Sequence, residues 1–265
     1  MNIFFKELKS YRLGLIFWSI GIFLLVFSSM AKFATYSGAG QSITTLINQF
    51  PQSVQAIFGL TGFNLDKASG YFGVIFMYIA LMATSHAVLM GAGIISKEER
   101  DKTSEFLMTK PISRAKVITA KIAVGLFSLV IINLVTLASS VYSVNFFTHD
   151  WSFMNYMLLL MAGLFFLQLI FFFVGTAIAA INNRPKLSSS GAVSVLLAAF
   201  ILTFFINLNN NLDFLKYLTP FKYFDARDIL ANMTLDPLYI TISLVLIVIM
   251  IFVTYRSYSA RDLNV

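Results

Sequence analysis

The sequence predicts an all-α polytopic membrane protein with six transmembrane helices, and three observations carry that reading. Of 265 residues, 58% are hydrophobic and only 12% charged. A soluble domain holds about 25% charged residues. The apolar residues gather into runs long enough to cross hydrocarbon, which takes about 20 residues per helix. Lysine and arginine, finally, concentrate in alternate connecting segments.

Residues 1–12 (MNIFFKELKSYR) place Phe4, Phe5 and Leu8 on one helical face among Lys6, Glu7, Lys9 and Arg12. This suits a short helix in the membrane interface. The first span covers about 13–33, with no small-residue cleavage pattern after it, and Lys32 at its end can snorkel to the headgroups. Residues 34–70 mix polar and apolar positions. Ile43, Leu46, Ile47 and Phe50, then Val54, Ile57 and Phe58, recur at helical spacing around Pro51. Two short amphipathic outer helices are expected, in the outer interface or with their apolar faces buried on the bundle.

The second span, 71–95, ends in Met90-Gly-Ala-Gly93, small residues that permit close helix approach. It holds His86, an ionisable side chain inside a span and so a candidate for the substrate path. No carboxylate shares the spans with it, and a neutral histidine hydrogen-bonded inside the bundle is expected. The third span (122–144) carries Asn133 and the fourth (153–181) Gln168, polar exceptions that suit interhelical hydrogen bonds or a substrate path. The fifth span is placed at 187–206 and the sixth at 238–253. Between them, 207–237 is a long segment, aromatic and apolar enough to dip into or lie on the membrane.

With the N-terminus inside, fourteen of the 19 lysines and arginines fall on inner segments; only Lys32, Lys67, Lys216, Lys222 and Arg227 fall outside. The positive-inside bias therefore puts both termini and the 96–116 loop in the cytoplasm. The chain reads as one permease domain over 1–265.

Several chemistries are excluded. There is no cysteine, and His86 and His149 are the only histidines, too few for a zinc site. No GxxxxGK[ST], HExxH or GxSxG occurs, so no nucleotide, metal-hydrolase or serine-elbow motif is available. No catalytic residue, metal or bound cofactor is expected, and no basic, aromatic-interleaved surface suggests nucleic acid.

What remains is the charged stretch Ser96 to Arg114. Thr103 can cap a short helix with Glu105 in its first turn, and Pro111 stops it. Phe106, Leu107 and Met108 then offer apolar bulk that could seat in a partner's groove or pack on the protein's own helix ends. For Glu98 a salt bridge is expected, to a partner or to the N-terminal helix.

The series Glu98, Thr103, Glu105, Leu107, Pro111, Ser113 and Arg114, followed by Lys121, resembles the cytoplasmic loop of ABC type-2 exporter permeases. Lys102 stands where that family usually has glycine, and Met108 where leucine is common. The order of six spans, the Phe50-Pro51 and Phe58-Gly59 elements and Pro220 to Phe224 resemble it too. The resemblance implies the membrane subunit of a bacterial plasma-membrane transporter. It implies pairing with a second permease, identical or related, and with two separate ATPase subunits that bind ATP and magnesium. Residues 103–109 would be the coupling helix seated in the ATPase. The substrate path would run between the two permeases, chiefly along the first, second and fifth spans. An apolar interior suits a hydrophobic or amphipathic cargo such as an antimicrobial peptide, a lipid or a drug. Other classes that fit a six-span protein are a stand-alone membrane enzyme and a non-transporting sensor or assembly subunit.

Overall fold

The computed structural model describes residues 3–38, 42–101, 113–182 and 184–260. Among them are six helices long and apolar enough to cross a membrane. These are α1 (Ile3–Gly38), α4 (Ala68–Arg100), α5 (Arg114–Thr148), α6 (Met154–Ile181), α7 (Pro185–Leu208) and α9 (Pro237–Ala260). Three short helices complete the set: α2 (Ile43–Ile47), α3 (Gln52–Ile57) and α8 (Ala226–Asn232). Two 3-10 segments, Asn210–Leu218 and Pro220–Lys222, precede α8. No strand occurs among the described residues. The chain is an all-α, multi-pass membrane protein.

The long helices overrun the apolar windows that reveal them. The expected separate helix over 1–12 is, from Ile3 on, the first turns of α1, with no break before residue 13. The cause is packing: Glu7 is buried and turned toward α4, so these turns stand against the bundle instead of lying flat. At 36 residues α1 is about 54 Å long, well beyond the about 30 Å of hydrocarbon. Helix α5 likewise starts at Arg114, eight residues before the apolar run, because the Ser113 side chain caps it by accepting from the Lys116 amide at 3.4 Å.

Helix α4 is the core of the bundle and packs most extensively on α6. Glycine makes that crossing close. A Cβ on Gly91 would collide with the carbonyl oxygen of Phe172, and one on Gly175 with that of Val88. The two glycines thus face each other's backbones, as small residues do at tight membrane crossings. Helix α1 lies mainly against α5, and α9 against α6.

The segment between α7 and α9 packs into the bundle. Phe221 fits between Phe171 of α6 and Phe200 of α7, at ring-centroid distances of 5.2 and 5.3 Å. Phe224 stacks on Phe166 of α6 at 5.6 Å. The aromatic content that suggested a membrane-dipping segment is used to fill space between α6 and α7.

Candidate functional site

The charged loop leaves α4 at Asp101 and re-enters α5 at Ser113. Residues 102–112 lie outside the described residues, and with them Thr103, Glu105, Phe106, Leu107, Met108 and Pro111. The roots of the loop are described, and they are tied to each other and to two other helices.

Lys121 of α5 is the centre of this root. Its side chain is 1% exposed, and its Nζ donates to the Glu98 carboxylate at 2.6 Å and to the carbonyl oxygen of Ile94. Ile94 and Glu98 are four residues apart, so α4 presents both acceptors on one face. A buried ammonium without such partners would be costly. The pair therefore fixes the start of α5 against the end of α4, whatever path the loop takes between them.

One turn of α4 also reaches α1. Lys97 donates to Glu7 at 2.8 Å and lies over the Tyr11 ring, 5.4 Å from its centroid. The Tyr11 hydroxyl is buried with no hydrogen-bond partner among the described residues. On the other side, Arg114 donates to the Ser259 carbonyl of α9 at 3.2 Å, and the Thr119 and Tyr255 hydroxyls are 2.8 Å apart. The Glu7–Lys97 and Arg114–Ser259 contacts thus lie at the same end of the bundle as the loop's roots.

Within the chain, Glu98 pairs across the root of the loop. Its partner is Lys121 of α5; the N-terminal helix is reached by the neighbouring Lys97 instead. The roles of two residues were not read from the sequence. Glu7 read as one charge of an amphipathic end, although its four-residue spacing from Tyr11 aligns both on one face. Ser113, flanked by Pro111 and a helical run, carried a capping signal.

His86, Asn133 and Gln168 form no single site. His86 is buried on α4 with its ring edge-on to Trp18 of α1 at 5.6 Å. Its Nδ1 has no hydrogen-bond partner among the described residues. Asn133 of α5 donates to the Met161 carbonyl at 3.1 Å and to Gln168 Oε1 at 3.2 Å, joining α5 to α6.

At the opposite end, Asp225 and Arg227 tie the segment between α7 and α9 to the segment between α1 and α4. Arg227 donates to Asp225 at 3.2 Å, to Asn207 at 3.0 Å, and to the Thr61 carbonyl and hydroxyl at 3.3 and 3.2 Å. Lys222 donates to Asp225 at 2.8 Å. Burial by itself would raise the Asp225 carboxyl, but the Lys222 and Arg227 charges outweigh it and hold it at about 2. No three His, Asp or Glu side chains among the described residues are grouped to hold a metal ion.

The pattern that defines the ABC-2 family transporter proteins matches residues 1–263. The chain belongs to that family. No curated protein matches it. An ABC-2 permease is the membrane subunit of an ABC transporter, a class that works in a lipid bilayer with ATPase partners. In this ABC-2 permease, the loop expected to face such a partner is rooted in a network joining α1, α4, α5 and α9.

Proposed function

We propose that this permease is the membrane half of an ATP-driven exporter of a hydrophobic or amphipathic molecule, an antimicrobial peptide, lipid or drug. Both termini and the 96–116 loop face the cytoplasm of a bacterial cell, the reading favoured by the lysine and arginine bias. A second permease, identical or related, completes the membrane part. Two ATPase subunits carry the ATP and magnesium.

The observation that supports the reading best is the buried Lys121–Glu98 pair. A short helix over 103–109 seats in the ATPase. When the ATPases close, the loop is displaced, and a loop with slack roots would absorb the motion. Here the roots are coupled to each other by a buried charge pair and to α1 and α9 by further polar contacts. Displacement of the loop then moves α4 and α5 as one lever against α1 and α9.

The test is reconstitution with the ATPase that copurifies from native membranes. Phe106→Ala and Glu105→Arg are expected to leave insertion intact and to separate ATP hydrolysis from transport. Unchanged coupling in both variants overturns the docking assignment. Absence of any copurifying ATPase overturns the exporter reading itself.

A further inference from the structure

Away from the loop, near the opposite end of the bundle, a cavity of about 590 Å³ opens between α1, α2 and α4. That volume falls within the range of pockets that take drug-sized ligands, about 300–1,000 Å³. None of the contacts described above uses it. Its walls are mainly apolar, with Leu46 and Phe50 on the 42–67 segment and Val74 and Ile75 on α4, and Ser29 and Gln49 add polar points. Its single charged lining residue is Lys32 of α1.

The position of that charge matters. Lys32 stands six residues before the end of α1, about 9 Å along its axis. The chain returns from the other side at Ala68, so Val74 and Ile75 lie roughly 9–11 Å into α4 from the same end. Tyr78, further down α4, also lines the space. The cavity thus sets one cation beside apolar walls at about the same depth, and the long lysine side chain can carry its charge toward the headgroups. Among the described residues no carboxylate forms an ion pair with Lys32. Leu46 and Phe50 are 42% and 53% exposed, so the outer segment roofs the cavity without filling it.

We propose that this cavity is a binding site for an anionic phospholipid of the surrounding bilayer. The phosphate sits at Lys32, and one acyl chain lies against Val74, Ile75 and Leu46. A zwitterionic lipid satisfies the apolar walls equally but brings its own cation to a site that already has one. Net negative charge is therefore what the lysine selects, and one surface lysine is worth about 1 kcal/mol toward an anionic membrane lipid. A bound chain would support α2, a helix of only five residues that cannot be stable by itself.

The experiment uses the full chain in nanodiscs of phosphatidylcholine with a tenth part phosphatidylglycerol. Lipids retained after extraction are counted by native mass spectrometry. The wild type is expected to keep phosphatidylglycerol in preference to phosphatidylcholine. Lys32→Gln is expected to lower that preference roughly fivefold while leaving total retained lipid nearly unchanged. Leu46→Trp, which fills the cavity from an exposed position, is expected to abolish retention of both. Equal retention of the two lipids by the wild type overturns the proposal. So does a preference lost in Lys32→Gln but untouched by Leu46→Trp, which would assign the effect to surface charge alone. A change of oligomeric state in Leu46→Trp, with lipid retention unaltered, would give the cavity to a second protein chain and overturn it as well.

Discussion

The ammonium of Lys121 lies 2.6 Å from the carboxylate of Glu98, on a lysine whose side chain is 1% exposed. Two charges have been taken out of solvent at the point where a long polar loop leaves and re-enters the bundle. Burial of an ion pair is weak evidence of added stability, since desolvation offsets much of the attraction. Its consistent effect is to penalise any state in which one partner is missing or displaced. The link between α4 and α5 is therefore stiff, which is the property a lever needs.

Among the described residues, Glu98→Ala leaves the buried lysine with the Ile94 carbonyl as its remaining partner. The expected loss is about 3–5 kcal/mol, read as a lowered unfolding temperature in detergent. Replacing both partners by Glu98→Leu with Lys121→Met removes the uncompensated charge, so most of that stability should return. If the pair transmits loop motion, ATP-driven transport stays impaired in the stable double variant. Recovery of transport along with stability would restrict the pair to a structural part.

Tyr11 offers the opposite case, a buried hydroxyl with no hydrogen-bond partner among the described residues. An unsatisfied buried polar group costs about 1–3 kcal/mol. Tyr11→Phe keeps the ring beneath Lys97 and is expected to hold or raise the unfolding temperature. Tyr11→Ala removes the ring and should lower it. A clear loss in Tyr11→Phe would mean that the hydroxyl has a partner in the assembled transporter.

Asp225 makes stability depend on acid. Its carboxyl is held at about 2 in the folded protein, below the ordinary 3.8, so folding favours the ionised form. The sign follows: the contribution is fully present above about pH 4 and is lost as pH falls toward 2. Its size is about 2 kcal/mol, and Asp225→Asn should flatten the pH profile of unfolding over that window. Because Arg227 bridges Asp225 to Thr61, Arg227→Gln should also expose the segments before α4 and before α9 to limited proteolysis.

Gly91 tests the α4–α6 crossing. Gly91→Val places branched carbon where the Phe172 carbonyl lies, and the helices must separate. A loss of about 3 kcal/mol or more is expected, together with poor membrane yield. Gly14 is the control: nothing lies within 4 Å of its would-be Cβ, so Gly14→Ala should be neutral or better, by up to about 1 kcal/mol.

The number and order of spans were legible because bilayer thickness writes itself directly into the length of apolar runs. The helix ends were not, since a run of apolar residues marks hydrocarbon and not the helix. Ile3 to Arg12 and Arg114 to Lys121 are helical on the strength of a cap or of packing, beyond any apolar window. The motif residues Glu98 and Lys121 were visible, yet their union was not, because two charges far apart in the chain offer many possible pairings. Asn133 and Gln168 announced themselves as polar exceptions; only geometry joined them to each other and left His86 against Trp18.

By itself, the sequence determined six crossings, a segregated set of basic residues and a charged loop with a short apolar insert. Those follow from composition and periodicity, which are local. Tertiary structure alone decided that Lys121 answers Glu98, that Lys97 answers Glu7, and that Pro220 to Phe224 pack between α6 and α7. Each of those choices is a competition among alternatives of similar local energy. It is settled by which groups the crossing of α4 on α6 and α5 brings within reach while shutting out water.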